Sequence, residues 1–569
     1  MSISWIAVLL VGNLLVVTNA AAASSAPPSK YYRDPGRIDL AIQPLSSNIM
    51  RDTDVAMVTR DGKRLYVNVY RPQGVGRYPV IVSTSWYGKD SFGDAPYREW
   101  HDQTGSDVGR MSVSELTPFE QPDPAFWVPR GYVVVHADVR GAGKSEGNIG
   151  PNSQQDALDY YDLIEWAAAQ PWSTGKVGLT GVAYSAYSQW FAAALHPPHL
   201  AAIMPWEGLV DHYRDGAFHG GIPETNFRLK SFTKSLEKHR NPEFDPAEDY
   251  AAMVKQHPFF DEYWDRKAAK LEEITVPALI CASWSGQGSQ SRGAFEGFRG
   301  INSRDKWLIT HGRNQWAMYY DPEMLGIQAQ FFDYYLQGKK DGMPEVPHVR
   351  LELRKTRDEF VVKQFSQWPL EGTQYLPLYL NAPNNSLATT TPRVMSQTQY
   401  EAERGKATYD FRFDRDTWIA GNMSLKLWVS ADSASDIDLF VGLRKFDKDG
   451  QEVYFYGFGG QPNDIVTRGW LRISERELDE DRSTIDRPML KHTGMQKIKP
   501  GDVVSATVEI LPSATVFEAG SRLQLVIQGT ELVRDKMLVH GASVNRGINR
   551  IYTGGGTASQ LLVPVIQPR

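Results

Sequence analysis

Cysteine is almost missing: Cys281 is the one thiol in a chain of 569 residues. It can form neither an intrachain disulfide nor a cysteine-held metal cluster. Histidine is sparse too, 12 in all, with no HExxH or HxH spacing. No structural metal and no other cofactor is therefore expected. Charge of one sign is not in excess, since 61 Lys and Arg stand against 67 Asp and Glu, a net −6. That balance offers no basic face to nucleic acid or to an anionic membrane. Beyond the N-terminus no stretch reaches the roughly 18 apolar residues that read as a membrane span.

What is present begins with Ile6 to Val17, an apolar run broken at Gly12 and Asn13 and followed by Ala20 to Ala23. It reads as a signal peptide over residues 1–23 and implies secretion or the secretory pathway, although its start lacks Lys and Arg. Two N-x-S sequons, at Asn384 and Asn422, are compatible with glycosylation there. Aromatics are plentiful, with 16 Trp and 26 Tyr, enough for aromatic-lined pockets as well as core packing.

Residues 24–50 are Ser/Pro-rich and then irregular, an N-terminal arm. From residue 51 short β-branched runs alternate with helical periodicity: RYPVIVSTSW, GYVVVHADV, QQDALDYYDLIEWAAAQ, KVGLTG, LAAIMPW, VPALICASW and KWLITHG. Such alternation predicts a parallel sheet with helices on both faces, over 51–207 and 275–344. The segment 208–274 interrupts it with charged, aromatic helical stretches, including DEYWDRKAAKLEE, and reads as a helical cap. From 345 to 569 short strands separated by turns such as DKDG and KPGD predict a β-sandwich of jelly-roll type.

The stretch LTGVAYSAYSQW runs from an apolar strand through small residues into an apolar helix. That is the layout of a nucleophile elbow, with Gly181 and Ala186 as the small flanking residues. The turn itself carries Ala183. Ser185 lies two residues past it and is the alternative nucleophile; Ser185 and Ser188 otherwise read as surface or helix-terminal hydroxyls.

RDGKRLYVNVYRP, GYVVVHADVRGAGKSEG, GKVGLTGVAYSAYSQW, TVPALICASWSGQG, GRNQWAMYYDPE and DIDLFVGLRKFDKDG together resemble the CocE/NonD family, the α/β-hydrolases of the cocaine-esterase and X-prolyl dipeptidyl-peptidase type. The resemblance covers nearly everything after residue 50 and implies a core, a cap and a C-terminal jelly roll. It implies serine hydrolysis of esters or amides. Laid on this chain, the family's serine falls on Ala183, its acid on Gly286 and its histidine on Gln315, with His311 four residues early as an alternative base. The oxyanion hole it implies survives as the Tyr87 hydroxyl and the Tyr184 N–H.

A triad needs a hydroxyl, an imidazole and a carboxylate, so ordinary serine hydrolysis is not expected. The leading expectation is a protein that binds a small molecule bearing an ester, amide or other carbonyl and promotes a non-hydrolytic step, for example in secondary metabolism. Two rivals stand beside it: an esterase or amidase with a displaced nucleophile or activated water, and a non-catalytic binding or scaffold protein. Asp138 and Arg140 read as a structural ion pair beside the site, Glu207 and Asp211 as a substitute acid or base or as structural pairs. Asp436 and Asp438 read as turn or interdomain partners rather than calcium ligands. Nothing in the sequence fixes the oligomeric state.

Overall fold

The computed structural model describes residues 29–34, 38–45, 48–150, 152–340, 342–533, 536–541 and 543–567, except for the side chain of Pro344. The expected signal peptide lies outside them. Fourteen strands build the first part of the chain: β1 (Ile38–Gln43), β2 (Ile49–Val58), β3 (Arg64–Pro72), β4 (Tyr78–Ser85), β5 (Gly109–Ser114), β6 (Val133–Asp138), β7 (Ser173–Val182), β8 (Leu200–Trp206), β9 (Phe218–His219), β10 (Ile222–Pro223), β11 (Ala278–Ser283), β12 (Lys306–His311), β13 (Val349–Arg354) and β14 (Phe360–Phe365).

The large sheet runs β2-β3-β6-β4-β7-β8-β11-β12-β13-β14. It is parallel from β6 to β13 and antiparallel at its margins. The parallel strands are the β-branched runs of the sequence, and β6 and β11 are buried along their whole length. Burial on both faces is why they read as continuous rather than alternating apolar runs. Within β4 the pleat still sorts side chains: Val80 and Val82 join the core on one face, Ile81 the core on the other. The sheet continues past residue 344, because β13 adds in parallel to β12 and β14 folds back on β13.

The N-terminal arm is more regular than expected. β1 pairs in parallel with β5 and β2 pairs with β3, so 38–58 is mostly strand. In the neighbouring segment 29–34, Lys30 meets Asp447 at 2.6 Å and Arg33 N–H donates to Asn463 at 2.9 Å.

Between β8 and β11 lie the helices Phe227–Phe232, Thr233–His239, Tyr250–Gln256 and Glu262–Asp265, with the β9/β10 hairpin. Helix does not continue through RKAAKLEE as its composition suggests. Ala268 bridges to Asp211, and Ala269 N–H donates to Val210, so backbone pairing across the cap overrides local propensity.

The C-terminal part is β-rich around its own core of residues such as Leu425, Leu427, Val508, Ile510, Leu525 and Ile527. Strand Thr417–Ala431 pairs antiparallel with Val504–Phe517, Ile548–Thr553 and Gln560–Ile566. Strand Asp438–Phe446 pairs with Thr467–Arg472 and Arg522–Gln528. Asn422 is 2% exposed and accepts a hydrogen bond from Arg299 at 2.8 Å, so it is not available for glycosylation in the folded protein. Asn384 is exposed.

Candidate active site

β7 ends at Val182, and the helix Tyr184–Ala193 starts at once. Ala183 between them takes φ 51°, ψ −110°, a conformation that costs an L-residue on the order of 1–3 kcal/mol and persists only where the surroundings dictate it. Here they do. Ala183 N–H donates to Trp206 C=O at 3.1 Å, and its own C=O receives Ala186 and Tyr187. The small neighbours follow from crowding. A Cβ at Gly208 would sit 3.1 Å from the Ala186 Cβ and 2.9 Å from Tyr187 N, so this helix packs too close to the strand-end loop for larger side chains.

Ala183 forms part of the wall of a cavity of about 380 Å³ lined by Trp86, Tyr87, Trp100, Phe119, Tyr187 and Trp316 among others. Tyr87 is wedged edge-on against Phe119 and His239. Burial, with the Glu120 carboxyl nearby, holds its phenol well above the ordinary range, so it stays a protonated donor. Tyr184 N–H is the first donor of its helix and has no partner inside it. The Tyr184 hydroxyl donates to Asp156 at 2.7 Å.

The remaining sequence-selected residues divide. Gln315 lines the cavity and opens the short helix Gln315–Tyr319, capped by Asn314. Gly286 is not among the cavity-lining residues. Its N–H donates to the Ser283 hydroxyl at 2.9 Å, and a Cβ there would come within 3.2 Å of Glu207 Oε2. His311 is fully buried, with Nε2 2.8 Å from Glu207 Oε1 though without the alignment of a hydrogen bond. The Ser283 hydroxyl donates to the other Glu207 oxygen. Ser185 is fully buried, not at the surface, and donates to Thr84 C=O at 2.7 Å; Ser188 is also buried. Both belong to a helix packed on the sheet, which explains the departure from a surface role.

Asp138 and Arg140 do not pair with each other. Asp138 receives Lys89 N–H at 2.6 Å, while Arg140 grips Asp159 at 2.6 Å and Asp61 at 2.9 Å. Adjacent turn geometry sends the two side chains to different partners. Asp211 pairs with Arg214 at 2.7 Å. Asp438 pairs with Arg472 at 2.8 Å, and Asp436 accepts from Ile437 and Ser474 N–H groups.

Two polar residues of the cavity went unnoticed in the sequence. Glu120 is 3% exposed with φ 65°. Its C=O receives Val182 N–H at 2.9 Å, one residue before the elbow. Oε1 accepts from Trp316 Nε1 at 3.0 Å, and Oε2 has no aligned hydrogen-bond partner among the described residues, with the Gln315 amide close by. Burial raises its carboxyl from 4.5 to about 8, so at neutral pH it is mostly the neutral acid. Arg228 is 5% exposed on the facing cap segment. The only signals were an isolated acid in the Pro-rich PFEQPDP and an arginine in NFRLKSF, neither of which has a motif.

The comparisons with known proteins agree on kinship. The family model described as X-Pro dipeptidyl-peptidase (S15 family) matches residues 61–315, and the X-Pro dipeptidyl-peptidase C-terminal non-catalytic domain matches 342–562. The chain is 25% identical to a cocaine esterase from Rhodococcus sp. over 90% of its own length and 98% of the relative's. It is 23% identical to a putative Xaa-Pro dipeptidyl-peptidase from Bacillus anthracis, over 86% and 84%. A solved CocE/NonD family hydrolase from Staphylococcus aureus is 41% identical, with TM-score 0.87 over 91% of this chain and 94% of that one. With one relative this similar along almost the whole length, the chain belongs to the CocE/NonD hydrolase family.

Proposed function

We propose that the cavity binds a carbonyl-containing small molecule and promotes a step that needs no acyl-enzyme. The observation that carries this reading is Ala183 in the strained elbow on the cavity wall: its methyl group offers no atom for attack on a carbonyl. The esterase and peptidase names of the relatives suggest ester or amide-like ligands. The Tyr87 hydroxyl and the Tyr184 N–H are two donors suited to a carbonyl oxygen in a cavity walled in part by aromatic side chains. Polarisation and a fixed orientation together lower the barrier of cyclisations and isomerisations without covalent catalysis. A reaction of that kind in the secondary metabolism of an exported protein fits the reading.

The alternatives that keep hydrolysis are less well placed. Ser185 is engaged behind the elbow, His311 is sealed against Glu207, and Gln315 stands in the cavity with an amide that cannot act as a base at neutral pH.

A fluorophosphonate probe followed by intact mass, run beside a short-chain nitrophenyl ester assay, tests the proposal. The expected result is no adduct and no ester turnover. A stoichiometric adduct on any cavity serine, with turnover, overturns it. For whatever step the cavity promotes, Tyr87→Phe should lower turnover about 10²- to 10³-fold with little change in binding. A scaffold role would leave no turnover to lose.

A further inference from the structure

Arg228 is a buried cation whose donors are largely unspent. Of its five N–H groups, one at Nη2 meets the Ser289 hydroxyl at 3.0 Å, and Nε–H is buried without a partner. The buried arginines nearby are neutralised: Arg214 by Asp211 at 2.7 Å, Arg292 by Asp215 at 2.9 Å. Arg228 has no ion-pair partner among the described residues. Glu224, four residues earlier, is the nearest acid in sequence, but its carboxylate is committed to the backbone N–H groups of Asn226, Phe227 and Arg228 at 2.8, 2.8 and 2.6 Å. The guanidinium lies 5.0 Å from the Phe227 ring and 6.0 Å from the Phe232 ring, which restrict its orientation.

A guanidinium withdrawn from water without a salt-bridge partner is costly, and its fork of donors matches the two oxygens of a carboxylate. We infer that Arg228 is the anchor for a carboxylate group on the cavity's ligand, so that the ligand class is an apolar or aromatic molecule that bears a free carboxylate. Glu120 borders the same cavity and is mostly neutral at neutral pH, so it adds a hydrogen-bond donor and not a repelling charge. The aromatic wall takes the apolar body. The inference rests on the reading that this cavity holds a small molecule, and not on which reaction follows.

Isothermal titration calorimetry of the full chain with 4-phenylbutyrate and with 4-phenylbutyramide tests it directly. The acid should bind at least about tenfold more tightly than the amide. Arg228→Gln should erase the preference by weakening the acid alone, and Arg228→Lys should retain part of it. Equal affinity for acid and amide overturns the carboxylate anchor while leaving the cavity reading intact. So does a preference that survives in Arg228→Gln. Binding of neither compound counts against both. The acid-against-amide comparison uses the unaltered protein, so it stands even where Arg228→Gln does not fold.

Discussion

Two polar clusters lie at the same end of the core sheet and differ in access and in composition. Ser283, Glu207 and His311 are closed in, fully buried among Trp206, Gly286 and the strand ends. Tyr87, Glu120, Gln315 and Arg228 border a cavity. The first cluster has the residue types of a catalytic triad, the second does not. Chemistry needs access as well as composition, so the closed cluster reads as structural support and the open one as the place where a ligand is handled. Glu207 illustrates the point. Its acidic side chain occupies the space a side chain at position 286 would need, and there it contacts His311 without facing the cavity.

The largest effect that would break this contrast is on the closed cluster. His311→Ala removes a fully buried ring packed against Glu207 and Trp206, and the hole left by such a large-to-small change costs about 2–5 kcal/mol. A urea unfolding curve should show that loss, while ligand affinity in the cavity stays unchanged. If stability is kept and cavity binding collapses, the two clusters are one site. The next effect concerns the open cluster. Glu120 titrates from 4.5 when unfolded to about 8 when folded. The folded state therefore keeps a proton that the unfolded chain gives up in that window, and the wild type loses stability as pH rises through it, on the order of 1.4 kcal/mol per pH unit. Glu120→Gln keeps an acceptor for Trp316 and has no such loss. Its stability relative to wild type should climb between about pH 5 and pH 8 and level off above. A flat difference would mean that the carboxyl is solvated and the cavity wet.

Much of the architecture was written in local pattern. The continuous apolar stretches of β4, β6 and β11 announce a doubly covered sheet because burial on both faces demands them, and the elbow announces itself by the small residues its crowding requires. The candidate site was legible only where a motif carried it, at Ala183, Tyr87 and Gln315. Glu120 and Arg228 were not, because what distinguishes them is three-dimensional: a carboxyl oxygen without an aligned partner, a guanidinium without a salt-bridge partner. In sequence they are an acid between prolines and a base on a cap helix. The strands Ser396–Glu401 and Ile548–Thr553 escaped for a related reason. The first is largely polar and the second only half apolar, and partners far along the chain supply the pairing.

Smaller effects sharpen the contrast at the family's acid and nucleophile positions. Gly286→Ala places a methyl 2.9 Å from the Ser283 hydroxyl and 3.2 Å from Glu207, a crowding that should cost about 1–3 kcal/mol in a thermal or urea melt. An unchanged melt would mean that this turn has room and that Glu207 does not fill the acid's space.

Ala183→Ser makes the smallest change, one oxygen on the cavity wall, and stability should move by less than about 1 kcal/mol. Ester turnover should stay at the background of the unaltered protein. Gln315, which shares the cavity, has an amide and is no base. Glu120 is mostly protonated at neutral pH, and His311 stays behind the wall, already taken up by Glu207. A serine without a base is a poor nucleophile, whatever the oxyanion donors beside it. Should this one substitution instead bring burst kinetics with a nitrophenyl ester, a base reaches the elbow after all. His311 or Glu120 would then be that base, and the line drawn between the closed cluster and the open one would have to be redrawn.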